Sequence, residues 1–129
     1  AGLVYRHDIS VAVSKITAFI RAAGAALEAR FPGACINCFG HLGDGNLHYN
    51  LAAPEGAQTE VFMANTRRAN RIVHDLVSAH GGSISAEHGI GQLKRGELRR
   101  YKPGVEIELM ARVKAAFDPD GIMNPGKVL

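Results

Sequence analysis

Tryptophan is absent, aromatic residues make up 6% of the chain, and there are two cysteines in 129 residues. No apolar run approaches the roughly 20 residues that span a bilayer, so a transmembrane segment is not expected. No signal peptide is recognisable. Neither sign of charge dominates: 15 Lys and Arg face 12 Asp and Glu, giving a net charge of +3. The basic residues are scattered, where nucleic acid would want a continuous stripe with stacking partners. The densest group, Lys94, Arg95, Arg99, Arg100 and Lys102, reads as a solvated helix face, with anion or partner contact as the alternative, and no nucleic-acid partner is expected. Cys35 and Cys38 stand in ACINCFG, which alternates like a strand and sends the two side chains to opposite faces. That argues against a dithiol clasp and for buried, reduced thiols in a cytoplasmic protein. Ala1 is not an initiator methionine, so the chain is expected to be processed, cloned or cut from something longer.

What is present is a regular alternation of strand and helix patterns. Leu3 to Val13 reads as a strand, and Ser14 as the cap of a helix with Ile16, Phe19, Ile20, Ala23 and Leu27 on one stripe. Phe31-Pro32-Gly33 ends it. Strands over 34–42 and 47–53 follow, then a helix from Thr59 with Phe62, Ala69, Ile72, Val73, Leu76 and Val77 inward. Gly81-Gly82 closes that helix, and 83–85 is extended. Two more helices are expected, over 92–100 and from Pro103, the latter with Ile107, Met110, Val113 and Phe117 inward. The first six elements match a βαββαβ unit. The fold class is therefore α+β: a ferredoxin-like antiparallel sheet with helices on one face, plus a C-terminal helical extension.

The chemistry concentrates in GHLGDGNLHYN, residues 40–50. Asp44-Gly45 is a favoured two-residue hairpin turn. With that turn, His41 sits directly opposite His48, and the period of two puts Phe39 and Asn50 on the same face. Ile36, Cys38, Leu42, Leu47, Tyr49 and Leu51 then form the core face. Two imidazoles so placed can share a divalent metal, but zinc sites use three protein ligands plus water, or four. The plainer alternative is a pair of half-buried histidines beside a turn. SISAEHGIGQLK, residues 83–94, offers Glu87 and His88 as a further ligand and a base, or else a surface turn. DPDGIMNPGKVL, residues 118–129, is a turn-rich terminus. His7, His74 and His80 have no partner at ligand spacing and read as ordinary.

Taken together, GHLGDGNLHYN, SAEHGIGQLK and DPDGIMNPGK resemble the C-terminal region of the FAD-linked 2-hydroxy-acid oxidases, in order and spacing. That group includes D-lactate dehydrogenase, the glycolate oxidase D subunit and D-2-hydroxyglutarate dehydrogenase, within the vanillyl-alcohol-oxidase superfamily. The resemblance covers essentially the whole chain. It implies that His41, His48 and Glu87 ligate a divalent metal, usually zinc. It implies that His88 takes the substrate hydroxyl proton while hydride passes to the flavin. Asn50 and Arg6 match substrate-contacting positions, Arg6 standing where relatives often carry Lys. Ala12 departs from a common Pro. Asn124 belongs to the Asn-Pro-Gly-Lys close that lies near the flavin.

The chain has no glycine-rich phosphate loop between strand and helix, and FAD chemistry needs one of the family's other domains. The expectation is a fragment: residues 1–85 a partial, substrate-binding cap, and 86–129 a helical segment that packs on an FAD domain of the same parent chain. By itself it is expected to be inactive, and a homodimer would hide the apolar surface the parent covers. The expected substrate is a small 2-hydroxy acid of the D-lactate or glycolate type, in a cytoplasmic or peripherally membrane-attached parent. Two alternatives stay open: a free-standing metal-binding module without redox activity, and a metal hydrolase in which His88 activates water.

Overall fold

A computed structural model describes residues 4–129. The elements are β1 (Val4–Ser10), α1 (Ile16–Arg30), β2 (Cys35–His41), β3 (Asn46–Ala52), α2 (Thr59–Ala64), α3 (Thr66–Ala79), α4 (Arg95–Tyr101) and α5 (Gly104–Phe117). The described residues fall into two compact units, divided between Glu87 and His88. The expected boundary at 85/86 falls two residues upstream of that division.

In the first unit the strands lie in the order β1-β3-β2, all neighbours antiparallel. α1 is thus the crossover between two parallel strands with a third inserted between them, the split βαβ arrangement. One isolated bridge, Ser10 to Ser83, lies against the end of β1, where a ferredoxin-like sheet would carry its fourth strand. The short extended piece expected over 83–85 is reduced to this bridge. Ile9, Leu47, Tyr49 and Leu51 point to one face and are fully buried, together with Phe19, Ala23 and Leu27 of α1 and Val73 and Val77 of α3. Phe19 meets Tyr49 edge-on at 5.5 Å, and His7 of β1 reaches Asn70 of α3, so both helices cover that same face. Each large apolar side chain so buried contributes about 1.5–3 kcal/mol. The opposite face keeps its polar residues.

Several expectations are corrected. β1 ends at Ser10, not at Val13, and Leu3 lies outside the described residues. Ser14 is not a cap: it sits inside a 3-10 turn, Val13–Lys15, closed by Lys15 N–H on Ala12 O at 2.7 Å. The helix from Thr59 is broken at Asn65. There Asn65 Nδ2 donates to Val61 O and Thr66 Oγ1 to Met63 O, side-chain bonds that compete with the helical ladder. Cys35 is exposed rather than buried, because it occupies the polar face of the edge strand β2. The helix expected over 92–100 begins at Arg95, after Gly89 and Gly91 take positive φ. α5 starts after Pro103 as expected but buries none of its residues; Val113 and Phe117 are 57% and 79% exposed.

The hairpin is also different. Leu42–Asp44 form a 3-10 turn, closed by Gly45 in the left-handed region and by Gly45 N–H on Leu42 O at 3.1 Å. The register becomes His41↔Asn46 and Phe39↔His48, a shift of two residues from the expected pairing. Because side chains alternate with period two, a two-residue slip leaves His41 and His48 on one face, where a one-residue slip would have parted them. Leu42 leaves the core face and is 60% exposed in the turn. Gly45 is required here. Its φ is +69°, its carbonyl accepts Val11 N–H at 3.0 Å, and a Cβ would lie 2.0 Å from Val11 O.

In the second unit, Asp118 ends α5 and organises the turn that follows. Its Oδ1 accepts Ile122 N–H at 2.9 Å, its Oδ2 accepts Met123 N–H at 3.0 Å, and Lys114 Nζ donates to Oδ2. The Lys114 hydrogen bond, with the backbone bonds from Met123 and Ile122, holds the carboxyl below its ordinary value against the opposing effect of burial. Its stabilisation is therefore present above the unfolded aspartate pKa of about 3.9 and is lost as pH falls through the lower folded value. Asp118→Asn is expected to flatten the acid limb of the stability curve below about pH 4; an unaltered limb would contradict this role. Gly45→Ala is expected to cost on the order of 3 kcal/mol in urea unfolding. A variant as stable as the parent would contradict the turn and the register it sets.

Candidate functional site

The polar face of the sheet carries Arg6, Asp8 and Ser10 from β1, Asn46, His48 and Asn50 from β3, and Asn37, Phe39 and His41 from β2, each matched by register. Asp8 lies directly opposite His48, and Arg6 opposite Asn50. Phe39 covers the other side of His48, ring centroids 5.1 Å apart.

Onto this face the chain returns at Ala86–Glu87. Glu87 Oε1 is 3.1 Å from His41 Nδ1 and also accepts from Asn46 Nδ2, while Oε2 is 3.8 Å from His48 Nε2. One carboxylate therefore stands between both imidazoles. The bend is held from beneath by Asp8, whose Oδ2 accepts Ala86 N–H at 3.1 Å and Glu87 N–H at 3.0 Å. Asp8 Oδ1 faces His48 Nδ1 at 3.8 Å, so this imidazole has a carboxylate off each ring nitrogen. Asp8 is 4% exposed, whereas His41 and Glu87 are open to solvent.

Glu87 thus reaches both His41 and His48, but among the described residues these three are not a group whose donor atoms all lie within 4.8 Å of one another; the grouping that is includes Asp8 and His48. His88 follows Glu87 by one peptide bond and opens the second unit. Asn50 is half-buried and Arg6 exposed on the same polar face. Asn124 is in the second unit, in a turn with φ +46° that asparagine tolerates, on a cavity of about 840 Å³ floored by Leu109, Val113 and Met123. His7 and His80 are structural: each Nδ1–H donates to a carbonyl, of Tyr49 and Leu76 respectively, at 2.8 Å.

Two residues escaped the sequence reading. Asp8 belongs to the alternation Arg6-Asp8-Ser10 within β1, which marks a polar face, but only the β1–β3 register sets it against His48. Asn46 was absorbed into the expected turn, whereas it begins β3 and pairs with His41.

The donor set suits a borderline divalent ion: imidazole nitrogens and carboxylate oxygens are zinc ligands. Asn46 Oδ1, buried beside Glu87, accepts no hydrogen bond within the protein and is left as an acceptor for a further polar group. Thiolates do not belong to this set: Cys38 lies on the core face, and Cys35, on the polar face, pairs with Ala52 at the opposite end of β2 from His41.

A family model described as FAD linked oxidases, C-terminal domain, matches residues 1–128. The chain belongs to this family. It is 45% identical over 124 residues to a D-2-hydroxyglutarate dehydrogenase of Stutzerimonas stutzeri, covering 96% of this chain and 27% of that protein. It is 39% identical over 130 residues to the mitochondrial D-2-hydroxyglutarate dehydrogenase of Arabidopsis thaliana, covering 100% of this chain and 22% of that protein. A D-2-hydroxyglutarate–pyruvate transhydrogenase of Saccharomyces cerevisiae is 35% identical over 136 residues, 99% of this chain and 26% of its own length. The FAD-linked oxidase C-terminal chain described here spans about a quarter of the length of these relatives.

The register has a chemical consequence for the thiols. Burial pushes the Cys38 thiol up, while Cys35 is exposed. Burial also raises Tyr49, opposite Cys38, to about 12. Iodoacetamide is expected to alkylate Cys35 at least about tenfold faster than Cys38, the thiolate being the nucleophile. Equal rates, read by peptide mass mapping, would contradict the faces assigned to β2.

Proposed function

We propose that this chain is the C-terminal part of an FAD-dependent, metal-assisted dehydrogenase of D-2-hydroxy acids, and that it carries the metal and substrate site. The observation that carries the reading is the meeting of His41, His48 and Glu87 on one sheet face, in a chain whose family match runs over residues 1–128. His41, His48 and Glu87 would hold the ion. When bound, a divalent metal supplies Lewis acidity that lowers the pKa of a substrate hydroxyl. Flavin, held elsewhere in the parent, would supply the two-electron acceptor, with Asn124 of this chain as a contact.

His88 would receive the proton leaving the substrate hydroxyl, as a neutral imidazole acting as general base. Arg6 would bind a carboxylate of the substrate, a group its guanidinium matches in shape. Asn50, opposite Arg6 in register, would orient the same molecule. Relatives named as D-2-hydroxyglutarate dehydrogenases favour a dicarboxylic hydroxy acid over lactate or glycolate. The exposed α5 residues Val105, Leu109, Val113 and Phe117 would seat the FAD domain of the parent. The free thiols suit a reducing, cytoplasmic setting. Among the described residues no helix is long and apolar enough to cross a membrane.

The complete product of the gene that carries this chain is expected to reduce an artificial electron acceptor with D-2-hydroxyglutarate. Chelation should abolish turnover and zinc restore it. Zinc affinity of the chain is expected to fall on the order of tenfold or more in His41→Ala. Turnover of none of D-2-hydroxyglutarate, D-lactate or glycolate would overturn the proposal, as would hydrolysis by the chain with zinc alone. Equal zinc affinities would remove His41 from the ligand set.

A further inference from the structure

We infer that Asp8 is the positioning residue of this site, one buried carboxylate that fixes two of the three proposed ligands. The inference takes its functional meaning from the metal site proposed above, but its geometry stands independently. Glu87 comes from a bend 41 residues beyond Asn46, outside any strand or helix. The next residue, His88, already belongs to the other compact unit. Such a segment has little of its own to hold its side chain over the sheet. Asp8 supplies the hold, because its Oδ2 accepts the consecutive N–H groups of Ala86 and Glu87 at 3.1 and 3.0 Å. Two amides converging on one anionic oxygen fix the direction of the peptide plane as well as its position, and hydrogen bonds to a charged acceptor are the stronger kind.

The second oxygen acts on His48. Asp8 Oδ1 lies 3.8 Å from His48 Nδ1, while Nε2 on the far side of the ring lies 3.8 Å from Glu87 Oε2. The two carboxylates are equally distant, but the buried Asp8 charge is screened less by solvent than the exposed Glu87 charge, so it favours the tautomer with its proton on Nδ1 and leaves the Nε2 lone pair on the Glu87 side. A carboxylate behind a metal-binding histidine orients the ring and raises its basicity in the same way. Register fixes the pairing: Asp8 of β1 is directly opposite His48 of the central strand β3. Asp8 and His48 offer donor atoms within 4.8 Å of each other; Asp8 is assigned to positioning because its Oδ2 is committed to the two amides.

The test is made on the metal-free chain by amide hydrogen exchange and by nitrogen NMR of the imidazoles, in Asp8→Asn and Asp8→Ala. The Ala86 and Glu87 amides are expected to exchange about tenfold faster in Asp8→Asn, which keeps the shape but loses the charge, and faster still in Asp8→Ala. The sheet amides of Leu47 and Tyr49 serve as references and should be unchanged. If Asp8→Ala fails to fold, these references reveal it and Asp8→Asn carries the test. His48 is expected to hold its proton on Nδ1 in the parent and to shift toward the Nε2–H form in the variant. Zinc affinity should then fall about 10–100-fold in Asp8→Asn. Unchanged exchange at Ala86 and Glu87, or an Nε2–H imidazole in the parent chain, overturns the inference. Failure of the parent chain to bind zinc at all would instead remove the metal site, while exchange and tautomer would still decide the role of Asp8.

Discussion

Two backbone N–H groups donating into one buried carboxylate join the distant parts of this site. Without the bonds from Ala86 and Glu87 to Asp8, the hairpin histidines and the later carboxylate would belong to separate segments of chain. Burying an anion is costly unless hydrogen bonds replace its lost water. Here the replacement comes from the backbone that has to be positioned, so the requirement of the charge and the requirement of the site are met by the same two contacts. The sheet makes this possible by giving its helices one face and leaving the other polar: Leu47, Tyr49 and Leu51 take the core side, and Asn46, His48 and Asn50 the open side.

The alternation of β3 was fully legible in the sequence, and with it the sharing of a face by His41, His48, Phe39 and Asn50. The turn was not. Asp44-Gly45 reads as a tight two-residue hairpin, but Gly45 is bound instead to the backbone of Val11, which lies 34 residues earlier and leaves no local trace. The face assignment survived because the register moved by an even number of residues. Leu42 did not survive, since the longer turn carried it out of the strand.

Asp8 shows a different kind of illegibility. A charged residue in a strand pattern reads as a solvated one, and its burial follows only from the pairing of β1 with β3 and the return of residues 86–87 over it. Asn46 was hidden by the same ambiguity over where the turn ends. In α5, Val113 and Phe117 were expected to point inward and are exposed, because periodicity specifies a face and not what covers it. The break at Asn65 is local in cause, yet polar residues of that type are common on helix surfaces, and only the bonds they make distinguish a break from a continuous helix.

The central claim is that two imidazoles and one carboxylate of this chain can share an ion. X-ray absorption at the zinc edge of the zinc-loaded chain tests it most directly. The account predicts a first shell of nitrogen and oxygen with the multiple-scattering pattern of two imidazoles, reduced to one imidazole in His48→Ala. A shell containing sulfur from Cys35 or Cys38, or one in which His48→Ala leaves the imidazole count unchanged, would contradict it.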